Sequence, residues 1–515
     1  MTSGALADAV RVSNVDDERQ AGPEAVPEIV RRRLTPYGNG GRRSWLVTAT
    51  VVFVAGVLRL VGITHPRGLM FDEIYYAAEA RAMLEHGVEW KDGAAEFVVH
   101  PPLGKWLIGL GELVFGYNEL GWRIAAAIAG TLSVLILVRV AQRMFGSTVL
   151  AGTAGLLLAL DGMHFVLSRT ALLDIFLMLF VLAAFACLVA DRDHRRRHAL
   201  AALEAGREPV GSGPAAITWR LAAAVLTGCA CAVKWSGVWA LLLMATLVIW
   251  WEISLRRSLG TRLPWRYGLT AGAAWTLAFA TVAGATYLAS WTGWFLTDDG
   301  FDRHWLALHG RSEPPVLGPL VNLWQYHREA FRFHTTLTTK HPYQSWPWQW
   351  LLLGRPVLFY SDFATKSCGA DSCASEVLLL GTPPLWWSFL PALTALTWLG
   401  IARRDWRAGA IGLAAAAGIV PWFAYELDMR TMYNFYALPA EPFLVLAVVY
   451  VLGALVGPAL PLGEAPDRRL VGVAVAALYV GLVALAFAYF YPIYTGNVIA
   501  YADWWARMWL GMRWV

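Results

Sequence analysis

Two adjacent carboxylates, Asp72 and Glu73, stand in the stretch GLMFDEIYYAAEA (68–80), soon after an apolar run long enough to cross a bilayer. A carboxylate can take the proton from an attacking hydroxyl. The plainer reading is a helix start, because acids in a first turn meet the helix dipole favourably. Other polar groups recur at the ends of apolar runs. They are His100 and Lys105 in HPPLGK, Arg123 opening a run, Arg169 and Asp174 in SRTALLD, and Lys234 in VKWSG. His341 and Tyr343 follow in HPYQSWPWQW, and Arg430, Asn434 and Tyr436 in MRTMYNFYALP. Each has an ordinary explanation: snorkelling for Arg123 and Lys234, capping for Asp174, a loop position for His100, interfacial anchoring for the outer Trp and Tyr. Their combination suits a sugar whose leaving group is an anionic phosphate. A carboxylate would serve proton transfer, Arg and Lys would neutralise the departing phosphate, and aromatic rings would offer faces for the sugar.

The elements that must carry these groups are membrane helices. Of 515 residues, 57% are hydrophobic and 15% charged, against a charged share of about 25% in soluble domains. Apolar runs of roughly 17–25 residues match helices that cross about 30 Å of hydrocarbon. The expectation is an all-α polytopic membrane protein with eleven spans, near 44–63, 121–142, 148–167, 171–190, 219–235, 237–253, 267–290, 383–401, 408–425, 434–456 and 470–491. The net charge of +5 sits in clusters between runs, where Lys and Arg set topology, so nucleic acid is excluded as a partner. Basic runs such as DRDHRRRH keep the N-terminus inside and place loops 64–120 and 291–376 outside, with the chemistry-bearing residues on that external face. The short run 105–117 carries Glu112 and is read as an amphipathic helix lying at the interface. Residues 1–43 are expected to be a disordered cytoplasmic tail, 44–491 the transmembrane domain, and 492–515 an external tail whose aromatics suit the interface. No cleavable signal peptide is read at the N-terminus.

Cys187, Cys229 and Cys231 lie in apolar runs and read as inert. Cys368 and Cys373, in KSCGADSC, read as a disulfide if their loop faces an oxidising compartment; a metal would need a second ligand pair, and none lies nearby in sequence.

At these motifs the chain resembles the protein O-mannosyltransferase family, and its bacterial members in particular. Asp72-Glu73 and HPPLGK match the family's first external loop, and LALDGMHFVLSRTALLD (158–174), VKWSG (233–237) and HPYQSWPWQWLLLGRP (341–356) match in order along about 60–510. The resemblance implies a GT-C fold and an inverting glycosyltransferase. The implied donor is polyprenyl phosphate mannose and the acceptor a Ser or Thr hydroxyl. It implies Asp72 as general base and Glu73 as a neighbouring acceptor-site or orienting carboxylate. Arg123 and Lys234 would be partners of the donor phosphate. It assigns no individual roles to His341 or Tyr343. It implies no cofactor and metal-independent transfer. Partners would be unfolded Ser/Thr-rich secretory proteins, membrane lipid and, by analogy, the secretion channel. Two departures stand out: no β-trefoil domain fits the outer loop, and MYNFYALPA replaces the paired histidines of eukaryotic members. The rival readings are transfer of another polyprenyl-linked sugar, such as aminoarabinose, to lipid or glycan, and a secondary transporter. The latter would show paired repeats and broken spans.

Overall fold

The computed structural model describes residues 26–209, 214–457 and 466–515. The chain begins with α1 (Glu28–Leu34) and α2 (Arg42–Leu60). Next come α3 (Glu73–His86), a small hairpin of β1 (Trp90–Lys91) and β2 (Ala94–Ala95), and α4 (Leu103–Phe115). The bundle continues with α5 (Glu119–Phe145), α6 (Thr148–Ala159), α7 (Gly162–Leu167), α8 (Asp174–Glu204), α9 (Pro214–Val233), α10 (Gly237–Ser258) and α11 (Pro264–Ser290). A long connection holds α12 (Thr292–Leu296), α13 (Trp305–Leu308), α14 (Leu317–Thr336), α15 (Pro347–Trp350), β3 (Val357–Asp362) and β4 (Cys373–Leu379). Then follow α16 (Pro383–Arg403), α17 (Trp406–Ile419), α18 (Trp422–Leu427), a 3-10 helix Asn434–Ala440, α19 (Glu441–Val456) and α20 (Pro466–Thr495). The chain closes with β5 (Ile499–Ala500) and α21 (Tyr501–Trp505), and β3, β4 and β5 form one antiparallel sheet.

Among the described residues, nine helical segments are long and apolar enough to cross a membrane. Two of the eleven expected spans are shorter, Thr148–Ala159 and Ile217–Val233. The 148–167 run breaks because Asp161 turns inward. Its Oδ1 accepts from His164 N at 3.1 Å to cap α7, and its Oδ2 accepts from Thr382 N at 3.0 Å and Trp386 Nε1 at 2.7 Å. The interfacial helix expected at 105–117 is α4, 13 residues long, about 20 Å at 1.5 Å per residue, with Leu110, Leu113 and Val114 exposed on one side.

Local sequence explains the junctions that matter. Asn118 caps α5 by accepting from Leu120 N at 3.0 Å and Gly121 N at 3.1 Å. Gly121 is required there, since a Cβ would stand 1.9 Å from the Gly116 carbonyl oxygen. That close turn folds α4 back on α5. The most buried span, α8, packs against α5, α9 and α10 at the centre of the bundle.

Both ends of the chain depart from expectation. Residues 1–25 of the tail expected to be disordered lie outside the described residues, but Glu28–Leu34 are helical. Leu34 is buried against Ala199 and Leu255, and Arg31 pairs with Glu204 at 3.0 Å. The aromatic C-terminus is not simply a row of interface anchors. Trp504 is buried and donates to Glu376, and buried Trp514 donates to the Leu353 carbonyl at 2.7 Å, because β5 draws the tail onto the sheet. Cys368 and Cys373 are joined as a disulfide at the start of β4.

Candidate active site

Asp72 is held at the N-terminus of α3 by its neighbours on both sides. Phe71 before it adopts φ 48°, a left-handed conformation that costs a non-glycine residue on the order of 1 kcal/mol or more. Its ring is locked there, stacked on Phe359 of β3 at 4.7 Å and edge-on to Tyr433 and Phe435, both at 6.2 Å. Glu73 after it is fully buried. Glu73 Oε1 accepts from Arg123 Nε at 2.9 Å and Ala171 N at 3.0 Å; Oε2 accepts from Arg123 Nη2 and Met70 N, both at 2.9 Å. Arg123 gives its remaining protons to the carbonyls of Ile63 at 3.1 Å, Pro66 at 2.8 Å and Gly68 at 2.8 Å.

All five Arg123 N–H groups are therefore occupied inside the protein, and the side chain is 0% exposed. The geometry does not support the donor-phosphate role expected of Arg123, nor a substrate-facing role for Glu73. The two residues close the loop that presents Asp72. Arg169 behaves alike, donating to the carbonyls of Arg59 at 2.9 Å, Val61 at 2.7 Å and Gly62 at 2.6 Å at the end of α2.

Asp72 itself is half-buried, and its carboxylate makes no hydrogen bond or ion pair among the described residues. Burial pushes its carboxyl up to about 6, with Lys234 pulling down and Asp174 and Glu79 pushing up. The other acids around it are paired. Asp174, opening α8, binds Lys234 Nζ at 2.9 and 3.0 Å. Glu79 lies 3.4 Å from Lys105 Nζ, which also pairs with Glu89 and donates to the His100 carbonyl at 3.2 Å. Burial raises Glu79, and the same two acids raise Lys105 despite its burial.

Aromatic rings wall the space beyond. Lys234 Nζ stands 5.0 Å from the Tyr436 ring centre and 5.6 Å from Phe435, while Trp422 packs on Tyr436 at 4.6 Å. Arg430 donates Nε to the His334 carbonyl at 3.0 Å and Nη1 to the Thr431 carbonyl at 3.2 Å, and its guanidinium lies 5.7 Å from Tyr436. His334 donates Nε2 to the Val99 carbonyl at 3.0 Å, and its ring is 5.5 Å from His100 and 5.7 Å from Trp235. Burial lowers both imidazoles, His334 to about 4 and His100 well below its ordinary range, so both are neutral at pH 7. His100 Nδ1 is buried without a partner.

His341 packs edge-on against Tyr433 at 5.3 Å and 5.7 Å from Tyr343, whose other face carries Arg355 at 5.2 Å. Asn434 donates to the Leu379 carbonyl at 3.1 Å and ties the 3-10 helix to the sheet. The fold thus gathers Asp72, Lys105, His100, Asp174, Lys234, Arg430 and Tyr436 around one space. His341 and Tyr343 sit at its rim through Tyr433, and Arg169, Arg123 and Glu73 hold the scaffold behind it. His334, Trp422, Tyr76, Glu79 and Phe71 were not singled out by sequence. Tyr76 and Glu79 carried a usable signal, since they lie four and seven residues after Asp72 and so on its helix face. Among the described residues no group of three or more His, Cys, Asp or Glu side chains is arranged to hold a metal.

Residues 49–289 match the family described as dolichyl-phosphate-mannose-protein mannosyltransferase, and residues 319–514 match the C-terminal four-transmembrane region of protein-O-mannosyltransferase. The chain is 39% identical to the polyprenol-phosphate-mannose--protein mannosyltransferase of Mycolicibacterium smegmatis, over 91% of this chain and 92% of that protein. The chain belongs to the protein O-mannosyltransferase family. The Mycobacterium tuberculosis protein of the same name is 39% identical over 94% of this chain and 95% of its own length. The Saccharomyces cerevisiae protein O-mannosyltransferase complex bound to the sugar donor overlays with a TM-score of 0.74 at 15% identity, covering 95% of this chain and 94% of that one. The fold is thus that of GT-C glycosyltransferases, and this member of the protein O-mannosyltransferases is a polytopic membrane enzyme.

Proposed function

We propose that Asp72 is the general base with which this mannosyltransferase takes the proton from a Ser or Thr hydroxyl of a protein acceptor. The enzyme moves mannose from polyprenyl phosphate mannose to protein. The hydroxyl oxygen forms a bond to the anomeric carbon, the bond from that carbon to the phosphate oxygen breaks, and the proton passes to Asp72. The single observation that carries the assignment is that Asp72 alone, among the acids lining the space, has no cation or donor holding it. A carboxyl near 6 is a better base than an ordinary one and is still roughly nine-tenths ionised at pH 7.

The leaving group is the polyprenyl phosphate anion. Lys234 has one proton left beyond its two bonds to Asp174, and Arg430 has one on each terminal nitrogen beyond those facing the Thr431 carbonyl and His334 Nδ1, so these two cations are the phosphate partners in our reading. The polyprenyl chain would lie in the apolar groove between α10 and α17, lined by Trp239, Leu243, Ala417 and Val420. That groove runs inward past Trp422 to Tyr436. Attack opposite the phosphate would invert the anomeric carbon. By charge parity the site faces outward and the N-terminus inward, where acceptors would arrive unfolded as they are secreted.

The test is transfer to a Thr-rich peptide by membranes carrying Asp72→Asn, with several lipid-linked sugars as donors. We expect about 10²–10⁴-fold loss with the protein still inserted, and mannose as the preferred sugar. Full activity in the variant would remove Asp72 from the chemistry.

A further inference from the structure

A second polar cluster lies at the far end of the bundle. Asp174 and Lys234 mark the site end of α8 and α9, and α10 starts beside them at Gly237. Measured along those helices at 1.5 Å per residue, Asp191–Arg196, Arg220 and Glu252–Arg256 stand about 20–33 Å away, which is about one hydrocarbon thickness.

There, six guanidinium groups, those of Arg143, Arg192, Arg195, Arg196, Arg220 and Arg256, meet three carboxylates. Glu252 accepts from Arg195 at 2.7 Å, Arg256 at 3.1 Å and Arg220 at 3.4 Å. Asp191 accepts from Arg220 Nε at 2.8 Å, and Asp193 lies 3.4 Å from Arg192 and 3.8 Å from Arg143. Asp405, also on this side, is held by its own Arg407 at 2.6 Å, and Glu204 by Arg31 at 3.0 Å. Arg196 is engaged by the Arg33 carbonyl and by Ser254 Oγ at 3.0 Å. Trp406 beneath Arg192 at 3.4 Å and Trp275 beneath Arg220 at 4.8 Å offset part of the excess charge.

The remainder is unmatched. Arg192 Nε, Arg195 Nη1, Arg220 Nη1 and Arg256 Nε are buried with no hydrogen-bond partner among the described residues, as are the acceptors Asp191 Oδ1 and Asp193 Oδ2, so free donors outnumber free acceptors and six cations face three anions. The side chains of Arg192 and Arg220 are only 7% and 3% exposed. Buried cations without counter-charge are costly, and guanidinium forks match phosphate oxygens. Arg256, 31% exposed, and Arg143, 20% exposed, form the open edge. Next to Arg256 in the chain, Arg257 lies over the exposed Trp265 ring of α11 at 4.1 Å, and Tyr267 and Leu269 are exposed on the same helix.

We propose that this cluster binds the phosphate of an anionic lipid headgroup in the leaflet opposite the catalytic site. The test compares the full chain in nanodiscs of zwitterionic lipid alone, the same with an anionic phospholipid, and zwitterionic nanodiscs with inorganic phosphate. Co-purifying lipid is measured by mass spectrometry and the unfolding midpoint by heating. The anionic phospholipid should be retained and should raise the midpoint, whereas inorganic phosphate should not reproduce the rise. Arg256→Gln, at the open edge, and Arg195→Gln, which shares Glu252 with it, should each weaken retention about tenfold, the scale of one charge-assisted hydrogen bond. Equal midpoints and no enrichment of anionic lipid in the unaltered protein would overturn the proposal, with no reliance on how the variants fold. A full rise with inorganic phosphate alone would overturn the lipid assignment.

Discussion

Replacing Glu73 by Gln separates the scaffold from the chemistry more sharply than any other change. Glu73 accepts four hydrogen bonds, two from Arg123 and one each from Met70 N and Ala171 N. Gln keeps the shape but turns one acceptor oxygen into an NH2 group. That group would face one Arg123 N–H and one backbone N–H, two buried donors with nothing to accept them. Each orphaned donor costs about 1–3 kcal/mol, and breaking a buried ion pair from one side costs about 3–5 kcal/mol in total. The two figures describe overlapping losses, so we expect about 3–5 kcal/mol of lost stability. The assay is thermal unfolding of the purified variant in nanodiscs beside Asp72→Asn. Glu73→Gln should unfold at a clearly lower temperature, and any activity left should show KM values for donor and peptide altered together. Asp72→Asn should unfold no earlier than the unaltered protein. An unchanged midpoint for Glu73→Gln with abolished transfer would refute the clamp and return Glu73 to the substrate.

Other outcomes follow from the same geometry. The rate of transfer, kcat/KM, should climb with pH through about 6 and flatten above, since the base must be ionised and burial raises Asp72 to about 6; a limb near 4 in pH–rate profiles would contradict that environment. A raised carboxyl also means that the folded state binds its proton more tightly, so ionising Asp72 weakens folding as pH rises from the unfolded value through about 6. The Asp72→Asn midpoint should therefore exceed the unaltered protein's at pH 8, and the difference should shrink toward zero at pH 4. Lys234→Met and Arg430→Gln should raise the donor KM about tenfold or more, with smaller effects on peptide KM, as read by initial rates with each substrate varied. Ala417→Trp, which fills the groove between α10 and α17, should weaken a long polyprenyl donor more than a short-chain analogue in the same assay.

The position of Arg123 shows where sequence reasoning stops. An arginine at the start of a span in a chain with a phosphate-bearing substrate reads as a phosphate ligand. Whether its five donors are free depends on where the carbonyls of Ile63, Pro66 and Gly68 fall, and those belong to a loop some sixty residues earlier whose path no periodicity specifies. His334 was missed for a related reason: on α14 it is one polar residue among many, and only packing against His100, Trp235 and Arg430 distinguishes it.

Composition and charge alone determined that this is a many-spanning membrane protein, because hydrocarbon demands long apolar helices and basic residues stay between them. The motif order determined the family, and with it the adjacent acids as the place to look. Tertiary structure alone decided what surrounds each acid. Two neighbours in a helix start point about 100° apart, so Glu73 turns into the protein onto Arg123 while the half-buried Asp72 carboxylate has no hydrogen-bond or ion-pair partner among the described residues. The desolvation that raises Asp72 and the absence of a paired cation, on which the proposed role of base rests, are properties of surroundings drawn from α8, α9, the 3-10 helix and β3, and no local stretch of sequence contains them.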